Sequence, residues 1–148
     1  MPGGTYSFID VQASITGPGG SFSLGYGEAT AEEGITIAMA NDKNTMTVGS
    51  DGSAQHSLRA DNSGQITARY LKTAPINRTL MALYNAQKID SRLWGKNVIT
   101  VSQSVAGDII AATQCAFKKV PDLTYATDGG TVEWVFDCGR IDEMLGTY

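Results

Sequence analysis

His56 is the single histidine of the chain, so general-base chemistry built on imidazole would have to run through it. Serines lie near it, but none stands in the glycine-flanked spacing that exposes a nucleophile on an elbow. Cys115 and Cys138 are the only cysteines, and with one histidine they fall short of a zinc ligand set at any usual spacing. The acid pairs Glu32–Glu33 and Asp142–Glu143 are adjacent, so in extended chain they point to opposite faces and do not flank one substrate. Asp122 and Asp128 could offer oxygens to a hard cation, but the stretch lacks a calcium-loop pattern. Gly17–Pro18–Gly19–Gly20 is followed by neither a Lys–Ser/Thr pair nor a helix, so it is no phosphate loop. Asn77–Arg78–Thr79 matches a glycosylation triplet but falls inside the expected helix, and is read as a chance match. No catalytic residue, metal ligand or cofactor emerges, and an enzyme is the reading with least support.

The elements that would hold any site are mostly strands. The chain has 148 residues, enough for one domain with a sizeable core. Apolar residues make up 42% and charged residues only 18%, with Gly, Ser and Thr filling much of the rest, a mixture suited to strands and turns. The net charge of −4 argues against a general DNA-binding surface. Its distribution is uneven. Six acids and two bases lie through residue 60, two acids and six bases from 61 to 100, and seven acids and three bases thereafter. The middle bases are Arg69, Lys72, Arg78, Lys88, Arg92 and Lys96. They read either as a solvated face with helix termini, or as a surface for the acidic segments of another copy. No signal peptide and no membrane-spanning run are expected, and the two cysteines are expected to be reduced, buried and inert.

The first strand is expected over Thr5–Thr16. Its apolar phase switches from Tyr6 and Phe8 to Ile9, Val11, Ala13 and Ile15, which implies a bulge or a change of packing partner. Ser21–Leu24 is a short strand, and Gly25–Glu33 reads as a loop. Ile35, Ile37 and Met39 alternate, and so do Met46 and Val48. The turn formers Asn41–Asp42–Lys43–Asn44 between them suggest a β-hairpin over Ile35–Val48. Turns at Ser50–Ser53 and Asp61–Gly64 bracket a strand near Gln55–Ala60, and Ile66, Ala68 and Tyr70 follow.

One helix is expected, around Pro75–Gln87. Pro75 is tolerated in a first turn, Thr73 is the candidate cap, and Ile76, Leu80, Leu83 and Tyr84 recur at helical spacing. Arg78, Asn85 and Lys88 would face outward. Later strands carry Ile99 and Val101, then Ile109, Ala111, Cys115 and Phe117 in one phase, then Val132, Trp134, Phe136 and Cys138. The sum is a single mainly-β domain over 1–148: a two-sheet β-sandwich or barrel of about eight strands with one α-helix.

Several stretches carry a resemblance. They are Thr5-Tyr-Ser-Phe-Ile-Asp-Val-Gln, Ile15-Thr-Gly-Pro-Gly-Gly-Ser-Phe-Ser-Leu, Ala31-Glu-Glu-Gly-Ile-Thr-Ile, Asp42-Lys-Asn-Thr-Met-Thr-Val-Gly and His56-Ser-Leu. Ser63-Gly-Gln-Ile-Thr-Ala-Arg-Tyr-Leu-Lys-Thr-Ala-Pro-Ile-Asn, Phe117-Lys-Lys-Val-Pro-Asp-Leu-Thr-Tyr-Ala and Asp128-Gly-Gly-Thr-Val-Glu-Trp follow in order. The chain resembles the inner tail tube proteins of contractile-tailed, myovirus-type bacteriophages over almost its whole length.

The resemblance implies a structural virion protein that assembles into stacked hexameric rings, a tube that conducts DNA without binding it specifically. Implied partners are other copies, the tail sheath, the tape-measure protein, and baseplate and tail-terminator proteins, with no membrane and no cofactor. The implied location is the phage tail, with host cytoplasm during assembly. The N-terminal segment and the 25–53 loop and hairpin map to inter-subunit contacts, through Tyr6, Phe8, Ile9, Val11, Ile35, Ile37, Met39, Asp42, Lys43 and Met46. Glu28, Glu32, Glu33, Asp42, Asp51 and Asp108 are candidate lumen-facing acids, since a channel that passes DNA should repel phosphate. Tail completion, baseplate or decoration proteins are the alternative roles. A carbohydrate-binding sandwich is another, with Tyr26, Tyr70, Trp94, Tyr125 and Trp134 as stacking faces.

Overall fold

The structure is a computed structural model that describes residues 4–7, 10–25 and 30–147. In chain order the elements are β1 (Val11–Gly17), β2 (Gly20–Gly25), β3 (Thr30–Met39), β4 (Asn44–Val48), β5 (Ala54–Leu58), β6 (Gly64–Leu71), α1 (Ile76–Gln87), β7 (Asn97–Gln103), β8 (Asp108–Lys119) and β9 (Thr131–Met144). Seven strands form one antiparallel sheet in the order β2-β1-β7-β8-β9-β6-β3, and β4 and β5 form a separate two-stranded sheet. The mainly-β expectation with one helix holds, and the two layers around the core come from one sheet folding over itself. Tyr70 on β6 shows the closure, because its hydroxyl donates to the Leu24 carbonyl on β2, with four strands between them in sheet order. Burial pushes the Tyr70 phenol up, so it stays a neutral donor.

Period-two alternation fills the core. Val132, Trp134, Phe136 and Cys138 of β9 point inward with Ile66, Ala68 and Tyr70 of β6. Phe117 sits among Phe136, Trp134 and Tyr84 at centroid separations of 4.9, 5.8 and 5.6 Å. Burying each such side chain contributes about 1.5–3 kcal/mol. Helix α1 lays Leu80 and Leu83 on this core, while Arg78, Asn85 and Lys88 are exposed as expected.

Five expectations need correction. The predicted hairpin over Ile35–Val48 does not form. β3 pairs with β6 (Ile35↔Ala68, Ile37↔Ile66), and β4 pairs instead with β5 (Met46↔His56). Alternation reports that a strand has an apolar face, not which strand lies beside it, and β6 offers β3 a core that β4 lacks. The expected Gly25–Glu33 loop is strand from Thr30 onward, with a register shift between Thr30 and Ile35. Gly34, at φ 63°, turns the chain inside that bulge. The first strand begins at Val11 rather than Thr5. The Asp10 amide bonds the Ser7 carbonyl in a turn just before it, while Phe8 and Ile9 lie outside the described residues.

In β8 the inward residues before Cys115 are Ala112 and the half-buried Ile110, while Ile109 is exposed and Ala111 is half-buried. Register against β7 shifts between Asn97↔Cys115 and Ile99↔Ala112, and Gln114 takes φ 55°. One extra residue moves every earlier side chain to the other face. Finally, Thr73 does not cap the helix. Pro75 occupies the cap position without a side-chain bond, and Asn77 instead donates to the Leu71 and Lys72 carbonyls.

Candidate assembly interface

Every residue of both strands of the β4–β5 hairpin is exposed. Its pairing is Asn44↔Leu58, Thr45↔Ser57, Met46↔His56, Thr47↔Gln55 and Val48↔Ala54. Side chains alternate across a ladder, so Asn44, Met46, Val48, Ala54, His56 and Leu58 share one face, and Thr45, Thr47, Gln55 and Ser57 share the other. The hairpin is therefore amphipathic, yet its apolar face is open: Met46 is 56% exposed, Val48 57% and Leu58 82%. A two-stranded hairpin alone is marginal in water.

Its two ends are tied by local bonds. At the tip the Gly49 amide bonds the Ser53 carbonyl, and the Ser53 amide donates to Asp51, which lowers that carboxyl's pKa. At the base the Arg59 amide bonds the Lys43 carbonyl, and Lys43 Nζ donates to Asn62 Oδ1 at 2.6 Å. Asp61 closes the base. It accepts from the Ser63 hydroxyl and amide at 2.5 and 2.8 Å and from Asn41 Nδ2 at 2.6 Å. These bonds, the Ser63 hydroxyl first, bring its pKa down to about 2.

The remaining candidate residues scatter around this element. Tyr6 is exposed and Val11 half-buried. Ile35 and Ile37 pack against the chain's own core, and Met39 is 43% exposed at the end of β3. Asp42 is exposed near the hairpin base and Asp51 at its tip, so five ladder rungs separate these two acids. Asp108 is half-buried and accepts from the Gly146 amide at 2.6 Å. Glu32 and Glu33 lie on β3 by backbone, and Glu28 falls outside the described residues. Sequence reasoning missed Leu58 and Val48 as part of this face. Pairing Met46 with His56 is the signal that would have found them.

The bases of the middle segment are largely engaged within the chain. Arg69 Nε meets Glu133 at 3.1 Å, Arg92 meets Asp90 at 2.8 Å, and Lys72 lies over the Tyr125 ring at 3.8 Å. Asp122 and Asp128 line one shallow cleft with Lys72, whose ammonium disfavours a cation there. Among the described residues no group of three His, Cys, Asp or Glu is placed to hold a metal ion. Nor is any described helix long and apolar enough to cross a membrane. His56 Nδ1 sits 3.2 Å from Asn44 Nδ2 on the exposed hairpin. The Asn77 carboxamide is engaged with Trp134 Nε1 and two backbone carbonyls, so the acceptor asparagine of the glycosylation triplet is already occupied. Trp134 and Tyr70 are buried, which removes them as sugar-stacking platforms; the half-buried Trp94 meets Tyr84 edge-on, Tyr125 is exposed under the Lys72 ammonium, and Tyr26 falls outside the described residues.

Residues 3–146 match the family described as Bacteriophage PhiTE tail tube protein. The chain belongs to this family. It is a structural protein of the virion tail. No curated protein sequence matches it. Among solved structures, the tail tube protein is similar to the tube-terminating cap of the anti-feeding prophage (TM-score 0.65, 9% identity, covering 99% of this chain and 94% of that one). It is also similar to the PVC sheath/tube terminator of an extracellular contractile injection system (0.62, 12%, 97% and 99%). The tail of an empty GTA particle, computed with C6 symmetry, gives 0.61 at 12% identity, covering 97% and 99%. These likenesses establish the shared fold.

Proposed function

We propose that copies of this chain form hexameric rings that stack into the inner tail tube, with the β4–β5 hairpin seated on a neighbouring copy. The observation that carries this is the amphipathic hairpin whose apolar face finds no cover among the described residues. The edge strands β2 and β3 add unpaired backbone that can continue a sheet into an adjacent subunit. Six-fold rings accord with the C6 symmetry named for the similar GTA tail.

Within this reading 1–148 is one domain, and the N-terminal segment with the 25–53 stretch reaches between subunits. Tyr6, Val11, Met39, Asp42, Lys43 and Met46 contribute contacts, and Ile35 and Ile37 support β3 from within. The tube meets sheath, baseplate and terminator proteins outside and the tape-measure protein inside, and assembles in the host cytoplasm. DNA passes a lumen whose acids, drawn from Glu32, Glu33, Asp42, Asp51 and Asp108, repel phosphate rather than grip it.

Negative-stain electron microscopy of the concentrated protein, alone and seeded with purified baseplate, tests this reading. Hollow tubes of stacked rings support it. Single rings in both conditions would instead assign a tail-completion role, which the similarity to two tube-terminating proteins favours as the second reading.

A further inference from the structure

Cys115 and Cys138 face one another directly across the β8–β9 ladder, and their sulfurs lie 3.1 Å apart. Both are buried, at 0% and 3% exposure. Their meeting depends on the strand distortions. Inward positions step from Ala112 to Cys115 in β8 and from Cys138 to Ile141 in β9, so both strands change face beside the same pair. Directly opposed residues in an antiparallel ladder have Cα atoms about 4.5–5.5 Å apart. A disulfide spans Cα separations of about 4.4–6.8 Å, so the bond fits without moving either strand. Neither thiol has a part in the tube reading.

We propose that Cys115 and Cys138 are the site of an intramolecular cross-strand disulfide, closed by exchange with a small disulfide of the glutathione-disulfide class. The first cysteine loses its proton to solvent, and its thiolate attacks one sulfur of the small disulfide. That step expels one small thiolate and leaves a mixed disulfide. The second cysteine, deprotonated in turn, attacks the protein sulfur of the mixed disulfide and expels the other small thiolate. The two protein thiols give up two protons and two electrons, and the small disulfide is reduced to two thiols. The hydrogen bond with Cys138 lowers the Cys115 thiol from its ordinary value. The same bond, together with burial, pushes Cys138 up. Burial makes exchange wait on local opening of the ladder, so closure is slow but lasting. The product stitches together the two longest strands of the sheet.

The test is intact-mass spectrometry of the folded protein after incubation with oxidised glutathione, followed by acid quench, denaturation and alkylation with iodoacetamide. The expected product is about 2 Da lighter and carries no alkyl group, as loss of two hydrogens requires. Its thermal midpoint exceeds that of the reduced protein by roughly 5–10 °C. Two alkylated thiols, a stable glutathione adduct, or a disulfide-linked dimer on a non-reducing gel would each overturn the proposal. So would closure seen only in denaturant, because the folded register would then not be what joins the thiols. Cys138→Ala is expected to lose both the mass change and the thermal gain. The wild-type comparison with and without reductant decides the matter even where that variant folds poorly.

Discussion

The carboxamides of Gln87 and Asn97 donate to each other inside the core, Gln87 Nε2 to Asn97 Oδ1 at 2.7 Å and Asn97 Nδ2 to Gln87 Oε1 at 2.9 Å. Both residues are 0% exposed, and Gln87 also donates to the Pro18 carbonyl. This pair fastens the last turn of α1 to the start of β7 and to the β1–β2 turn. Gln87→Leu strands the Asn97 amide without water, and is expected to cost about 1–3 kcal/mol in urea unfolding. Asn97→Leu should cost a similar amount. The double variant should cost clearly less than the sum, and additive losses would show that the two amides act independently.

Gly17 borders the same pair. A Cβ at this position would lie 1.9 Å from Asn97 Oδ1, inside any contact distance. Gly17→Ala is therefore expected to lose at least about 1–3 kcal/mol through overpacking. Gly17→Ala in an Asn97→Ala background should recover part of that loss, measured by the same urea midpoint.

Asp61 gives the hairpin base a pH dependence of known sign. Its folded pKa of about 2 lies below the ordinary 3.8. Its bonds therefore add stability that is fully present above pH 3.8 and is lost as pH falls through 2. In an NMR titration the Ser63 amide, which donates to Asp61, should shift with a midpoint near 2. Asp61→Asn should flatten that titration. A midpoint at the ordinary carboxylate value would mean that the clamp does not hold in solution.

The hairpin's apolar face can be separated from folding. Met46 and Val48 touch no core, so the double variant Met46→Asp, Val48→Asp should change unfolding free energy by no more than about 0.5 kcal/mol. The same variant should abolish tube formation under the electron microscope. Tubes formed as readily as by wild type would remove the hairpin from the assembly contacts.

Legibility in the sequence followed the range of the signal. Val132, Trp134, Phe136 and Cys138 announced a half-buried strand because side-chain alternation is local, and all four are buried. The helix was legible over nearly its true span because Ile76, Leu80 and Leu83 repeat within it. Gln87 was invisible as a core residue. A glutamine at the end of a helix looks solvated until Asn97, ten residues on, supplies two of its three bonds and the Pro18 carbonyl the third.

Composition, alternation and the resemblance together determined a mainly-β structural protein with one helix, since each of these is written in neighbouring residues or in their order along the chain. Only the tertiary structure decided which strands pair. It sent β3 to β6 rather than to β4, left Met46, Val48 and Leu58 on an open face, and set Cys115 opposite Cys138. The reason is physical. A strand carries its period with it, but its partner, its register and each extra residue in a bulge are settled by the folded sheet, where one residue of slip reverses every side chain.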